Sequence, residues 1–127
     1  MSLESPLGRV LGRGSAKEGP GHWVAQRVTA VGLIPLGLWF LFSLIGLGSS
    51  NHQFVLAWAA DPVHAIPLIL LLLTLLYHSM LGIQVVVEDY VHGTAKIVVL
   101  LAVRFLYATM AVAGVFAIVN ISLGSGT

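Results

Sequence analysis

Residues 63–87 read VHAIPLILLLLTLLYHSMLGIQVVV, and this stretch decides the fold. A helix needs about 20 apolar residues to cross the hydrocarbon core of a bilayer, and this run is long enough. Asp61 and Pro62 come directly before it, and these residues are favourable at the N-cap and first turn of a helix. A polar segment, residues 88–90, follows it. The stretch therefore predicts a helix that crosses a membrane and leaves it at about residue 90.

Two further runs have the same character, one from Val28 to Gly48 and one from Ile97 to about Leu123. The 127-residue chain is 57% hydrophobic and only 9% charged, whereas soluble domains carry about a quarter charged residues. Three such runs leave too little polar surface to cover them as buried core helices. We therefore predict an all-α fold with three transmembrane helices, at about 28–48, 63–90 and 97–122, within a membrane domain of residues 22–127.

Composition also excludes several kinds of site. The chain contains no cysteine, so disulfides, thiolate metal sites and iron–sulfur ligation by this chain are excluded. A net charge of +1 gives no reason to expect a nucleic-acid partner.

Basic residues predict the orientation of the three helices. Four of them precede the first helix, namely Arg9, Arg13, Lys17 and Arg27, and Lys96 lies between the second and third helices. Residues 49–62 contain no Lys or Arg. Because cytoplasmic loops are enriched in Lys and Arg, we expect a multi-pass membrane protein with residues 1–21 in the cytoplasm and the C-terminus on the opposite side of the membrane.

A histidine in the middle of the second helix is the main candidate site residue. His78, Gly82, Val85 and Asp89 fall on one helical stripe, with Tyr90 at its end. Ionisable groups in a bilayer are costly and mark functional sites, and a neutral imidazole is a good haem ligand. His78 could equally hydrogen-bond a neighbouring helix, Gly82 could serve helix packing, and Tyr90 could be an ordinary interfacial aromatic. The residues alone leave both interpretations open.

Two sequence motifs resemble a known family. Residues 22–31, HWVAQRVTAV, open the first helix, and His78-x3-Gly82-x-Gln84-Val85 is followed by Asp89-Tyr90-Val91 at the end of the second. Together they resemble the hydrophobic membrane anchor subunit of bacterial succinate dehydrogenase, the D-type anchor of respiratory complex II, in its alphaproteobacterial form. The resemblance covers roughly residues 22–115, and it implies that the membrane is the bacterial inner membrane, with the C-terminus in the periplasm.

The resemblance implies a cofactor and a set of site residues. Two anchor chains of this family form a membrane bundle around one haem b, and His78 matches the axial ligand to the haem iron that this chain supplies. Arg27 matches a residue that reaches a haem propionate. Tyr90 and Asp89 match the site at which ubiquinone is reduced. The ligand on the other side of the iron is expected from the second anchor.

The resemblance also implies partners. They are a flavoprotein subunit with FAD, an iron–sulfur subunit, and a second anchor subunit of the cytochrome b type. The complex passes electrons from succinate to ubiquinone, which joins the tricarboxylic acid cycle to electron transport. The chain is then expected to be non-catalytic alone.

Several alternatives remain open at this stage. An anchor of a menaquinone-linked succinate dehydrogenase or of a fumarate reductase shares the three-helix build. A haem-free membrane assembly protein, in which His78 only joins two helices, is a different class. Arg104 is expected to form a structural ion pair with Glu88 or Asp89; the alternatives are that it extends to the cytoplasmic surface or reaches a propionate. His92 is expected to be a solvated histidine.

Overall fold

The computed structural model describes residues 19–48 and 51–124, and the helices account for nearly all of them. Their bounds are α1 at Gly19–Leu47, α2 at His52–Ala60, α3 at Pro62–Tyr90 and α4 at Thr94–Ser122. The described residues contain no strand. Three helices, α1, α3 and α4, are long and apolar enough to cross a membrane. The predicted all-α fold with three membrane-spanning helices is therefore confirmed.

Two of the long helices, α1 and α4, begin earlier than hydropathy alone predicts. Helix α1 begins at Gly19 rather than at residue 28, and α4 begins at Thr94 rather than at 97. Hydropathy marks where apolar side chains begin, but the backbone hydrogen bonds of a helix continue into polar residues that lie beyond the hydrocarbon core. Lys96 consequently lies in the first turn of α4 instead of in a loop. Residues 1–18 of the expected N-terminal segment lie outside the described residues.

Helix α3 begins where the sequence predicts. The Asp61 carboxylate accepts a hydrogen bond from the backbone N–H of Val63 at 2.9 Å, which satisfies one amide that has no partner inside the helix. The helix ends at Tyr90, and Gly93 then adopts a positive φ of 70° in the short turn that leads to α4. A side chain is rarely tolerated at such a φ, so glycine permits the tight return of the chain.

Helix α2 was not predicted, because its segment was treated as a loop. The Asn51 side chain accepts a hydrogen bond from the backbone N–H of Phe54 at 2.9 Å and caps the helix. The helix stops at Ala60 because Asp61, the residue before Pro62, is extended. The Trp58 ring stacks on Trp39 of α1 at a centroid distance of 6.1 Å. Helix α2 therefore folds back onto the bundle.

Helix α3 lies between α1 and α4 and packs against both. Against α4, Ser79 Oγ and the Tyr107 hydroxyl are 2.7 Å apart, and Gly114 lies where a β-carbon would overlap the end of Leu72. Against α1, His78 contacts Thr29. Helix α1 continues through Pro35 to Leu47.

Most large apolar side chains lie on the outside of this assembly. Only four described hydrophobic residues are buried, namely Leu47, Ala65, Leu81 and Val87. Exposed apolar surface on all three long helices is costly in water and is the surface expected for contact with lipid tails or other membrane helices.

Candidate haem and quinone site

His78 lies near the middle of α3, twelve residues before the end of the helix at Tyr90, which corresponds to about 18 Å along the axis. Its imidazole is half-buried and turns toward α1. There, His78 Nδ1 is 2.9 Å from the Thr29 hydroxyl oxygen. Within the part of the chain that the structure describes, His78 Nε2 makes no hydrogen bond. One ring nitrogen thus joins two helices and the other keeps its bonding capacity.

The predicted stripe on α3 is divided between two environments. A β-carbon added to Gly82 would lie 3.8 Å from Gln26 Nε2 on α1, so this glycine faces the neighbouring helix at ordinary contact distance. Val85 is 42% exposed, and Asp89 is exposed at the end of the helix. The stripe therefore passes from the α1–α3 contact to the open surface as it approaches Tyr90.

Tyr90 and Asp89 form the exposed end of α3. Tyr90 is 81% exposed, and among the described residues neither side chain has a hydrogen bond or an ion-pair partner. Glu88, which comes just before them, accepts a hydrogen bond from Gln84 Nε2 at 2.9 Å, so its carboxylate is held along the helix. The phenol and the Asp89 carboxylate are the groups at this end that remain open to a ligand or a partner chain.

Arg27 lies on α1 two residues before Thr29. Its guanidinium carbon is 5.3 Å from the centroid of the Trp23 ring, which is a cation–π distance. The side chain is exposed and has no ion-pair partner within the described ranges. The positive charge is therefore held at the surface of α1 by an aromatic face, and no carboxylate among residues 19–48 and 51–124 neutralises it.

A cavity of about 750 Å³ lies between the first turns of α1, the second half of α3 and one residue of α4. Its polar lining comprises His22 and Gln26 of α1, Gln84 and Glu88 of α3, and Arg104 of α4. His22 Nε2 and Gln26 Oε1 are buried there without a hydrogen-bond partner in the described chain. The sequence analysis missed this cavity, although His22 and Gln26 are one helical turn apart and signal a polar face.

The structure corrects the expectation for Arg104. It lines the same cavity as Glu88, yet no ion pair within 4.0 Å joins it to Glu88 or Asp89 in the described structure. Glu88 is instead held by Gln84, and the Arg104 side chain is exposed. His92 is exposed in the turn after α3, as expected for a solvated histidine.

Over residues 1–119 the chain matches the model of the family described as the succinate dehydrogenase/fumarate reductase transmembrane subunit. The chain belongs to this family. The resemblance that the motifs of α1 and α3 indicated is confirmed, and with the three apolar helices it establishes a membrane protein.

Individual relatives agree with the family assignment. The hydrophobic membrane anchor subunit of succinate dehydrogenase from Rickettsia bellii is 42% identical over 78 residues, which are 61% of this chain and 62% of the relative. The corresponding subunit of Paracoccus denitrificans is 33% identical over 127 residues, with 98% of this chain and 97% of the relative aligned. The match to the Rickettsia bellii subunit thus spans about three fifths of that relative. No solved structure matches the chain.

Proposed function

We propose that this chain is the membrane anchor of a succinate:ubiquinone oxidoreductase. It supplies His78 as one axial ligand of a haem b shared with a second anchor subunit, and Tyr90 and Asp89 as part of the ubiquinone site. The observation that carries the proposal is His78 itself, an imidazole at mid-helix whose Nδ1 contacts Thr29 and whose Nε2 has no hydrogen-bond partner among the described residues. The chain has no reaction of its own and works only with a flavoprotein subunit and an iron–sulfur subunit.

The residues fit a haem. A neutral imidazole is a suitable iron ligand, and a ligating histidine commonly donates its other N–H to a fixed acceptor, as Nδ1 and Thr29 are placed to do. The described residues contain no cluster of three or more His, Asp or Glu side chains that could hold a metal ion. A haem iron needs only one ligand from this chain when the second anchor gives the other. Arg27, whose guanidinium is paired with no carboxylate of the described residues, is suited to charge-assisted hydrogen bonds with a propionate.

When bound, the haem supplies one-electron redox chemistry. The residues of this chain hold it and shape the site around it. The apolar residues that flank His78 along α3 would exclude water, which strengthens electrostatic interactions with its imidazole. The chain thereby fixes where the cofactor lies relative to the end of α3.

Ubiquinone reduction takes up two electrons and two protons, and the end of α3 provides proton-bearing groups. The electrons come from succinate through the FAD and iron–sulfur clusters of the partner subunits. The Tyr90 hydroxyl donates a hydrogen bond to a carbonyl oxygen of ubiquinone. The Asp89 carboxylate accepts and passes protons from the aqueous edge, or orients a basic side chain of a partner. Both groups are exposed where the helix ends, so a partner chain can complete the site around them.

Purification of the complex through a tag on this chain tests the haem part of the proposal. We expect flavin, iron–sulfur clusters, a b-type reduced-minus-oxidised spectrum and succinate:ubiquinone activity. His78→Ala should abolish or strongly alter the haem spectrum while the subunits remain present, because the iron loses a ligand. The matched control is His64→Ala, which removes a half-buried imidazole that packs 4.8 Å from the Trp58 ring.

The outcomes separate the alternatives. An unchanged haem spectrum in His78→Ala contradicts axial ligation by this residue. A wild-type preparation without haem or flavoprotein would leave a haem-free membrane protein. Activity with menaquinone, or a preference for fumarate reduction, would identify the other branch of the family.

Tyr90→Phe tests the quinone part of the proposal. Loss of the phenolic hydrogen bond and proton donor should lower ubiquinone reduction by about tenfold or more. Succinate oxidation with an artificial dye that accepts electrons from the soluble subunits should be unchanged, because that reaction does not need the end of α3. Tyr77→Phe is the control, since this phenol lies on the same helix and makes no hydrogen bond with the described residues. Equal quinone activity in the wild type and Tyr90→Phe would exclude Tyr90 as a quinone ligand.

A further inference from the structure

The contact between His78 and Thr29 indicates which ring nitrogen of His78 carries the proton. Thr29 Oγ1 lies 2.7 Å from the backbone carbonyl oxygen of Ala25, 3.1 Å from that of Gln26 and 2.9 Å from His78 Nδ1. A threonine hydroxyl has one proton to donate and two lone pairs with which to accept. Carbonyl oxygens can only accept, so a bond between the hydroxyl and either carbonyl uses the single proton of Thr29.

The distances indicate where that proton is. The 2.7 Å separation from Ala25 O is the usual length of an O–H···O hydrogen bond, and a threonine in a helix commonly donates to the carbonyl four residues earlier. The 2.9 Å separation from His78 Nδ1 is the usual length of an N–H···O bond. Because the Thr29 hydroxyl donates its only proton to the carbonyl oxygen of Ala25, it can only accept a hydrogen bond from His78 Nδ1. His78 must then carry its proton on Nδ1.

We propose that Thr29 is a positioning residue that holds His78 as the Nδ1–H tautomer and so presents the lone pair of Nε2 to the haem iron. This inference rests on the proposed function, because it assigns a cause to the ligating state of His78. The opposite assignment, in which Thr29 donates to Nδ1, places the proton on Nε2. Nε2 would then carry a proton and be unable to bind iron.

The hydrogen bond has a second consequence for the iron. An imidazole that donates its Nδ1–H to an acceptor is a stronger donor at Nε2, and its ring is fixed in rotation. A stronger donor stabilises ferric over ferrous haem and lowers the midpoint potential. Thr29 therefore acts on the cofactor through His78, although its own hydroxyl is engaged by α1 and α3.

Thr29→Val in the purified intact complex tests the inference, because valine keeps the branched shape and removes the hydroxyl. We expect the preference for ferric over ferrous iron to fall about tenfold, which raises the haem midpoint potential by about 59 mV for a one-electron couple. The electron paramagnetic resonance g values of the ferric haem should shift as well, since the ring is no longer fixed. Thr29→Ser, which retains the hydroxyl, should give the wild-type midpoint potential and g values.

Thr109→Val is the matched control. Thr109 donates to the carbonyl oxygen of Phe105 at 2.9 Å within α4, so it makes the same intrahelical bond on a helix that does not hold His78. Its substitution should leave the potential and the g values unchanged. The same values in Thr29→Val as in Thr109→Val would overturn the inference.

The test keeps the inference separate from the proposed function. A haem spectrum that is unchanged in His78→Ala overturns axial ligation. A spectrum lost in His78→Ala, with a potential and g values unchanged in Thr29→Val, overturns only the role of Thr29. If Thr29→Val fails to assemble, Thr29→Ala, which also removes the hydroxyl, decides: a raised potential with shifted g values supports the inference, and wild-type values contradict it.

Discussion

The contact between α3 and α4 gives a prediction whose magnitude follows from the structure. A β-carbon added at Gly114 would overlap Leu72 Cδ2 and lie 3.4 Å from both Cδ1 and Cγ of the same side chain. Small residues in membrane helices permit such close approach. Gly114→Ala should therefore force Leu72 out of its position, at a cost of about 1–3 kcal/mol.

The helix propensity of alanine acts in the opposite direction and has to be separated from the overlap. Alanine in place of a helical glycine stabilises the helix by about 0.5–1 kcal/mol. Gly37 of α1 provides the matched control, since a β-carbon there would have no atom within 4 Å. Gly37→Ala should report the gain in propensity alone. Gly114→Ala should then be less stable than Gly37→Ala by the cost of the overlap, about 1–3 kcal/mol.

The assay is the free energy of unfolding of the purified chain, titrated from mild detergent into sodium dodecyl sulfate. Adding Leu72→Ala to Gly114→Ala removes the overlapping atoms, so the double variant should lose less stability than the sum of the single losses. Equal stability of Gly114→Ala and Gly37→Ala would refute the reasoning, because it would mean that Leu72 moves aside at no cost.

Two further predictions concern packing and orientation. Tyr107→Phe leaves the Ser79 hydroxyl without its partner on the neighbouring helix. It should lower the free energy of unfolding by about 0.6 kcal/mol, at most about 1.7, in the same assay. Thr109→Val, which breaks only a hydrogen bond within α4, should cost less. Because the chain has no cysteine, His92→Cys and Gln53→Cys provide single labelling sites in the turn after α3 and on α2. With intact bacterial cells, a membrane-impermeant maleimide should label residue 53 and leave residue 92 unlabelled until the membrane is opened; the reverse pattern would invert the expected orientation.

The sequence predicted the long helices because a membrane makes hydropathy a direct measure of burial in lipid. The start of α3 was also predicted, since Asp61 and Pro62 carry capping chemistry that acts locally. The starts of α1 and α4 were placed too late because their first turns are polar. Helix α2 was missed although Asn51 followed by an apolar run is a recognisable helix start.

The candidate site, like the fold, could be predicted from the sequence only in part. His78, Tyr90 and Asp89 could be selected as candidates from one helix, because their positions along α3 are read directly from the sequence, whereas the roles proposed for them come from the resemblance. The contact of His78 with Thr29 could not, since it joins residues 49 positions apart and depends on how α1 packs against α3. The polar cavity of His22, Gln26 and Arg104 likewise arises from the approach of separate helices. The Arg104 ion pair was expected from charge alone, but Gln84 holds Glu88.

A structure of the intact complex purified from membranes tests the central claim most directly. We predict a haem whose iron is bonded to His78 Nε2 on one side and to a histidine of the second anchor subunit on the other, with His78 Nδ1 still within hydrogen-bond distance of the Thr29 hydroxyl. A haem held entirely by other chains, with His78 bonded only between helices, would contradict the claim.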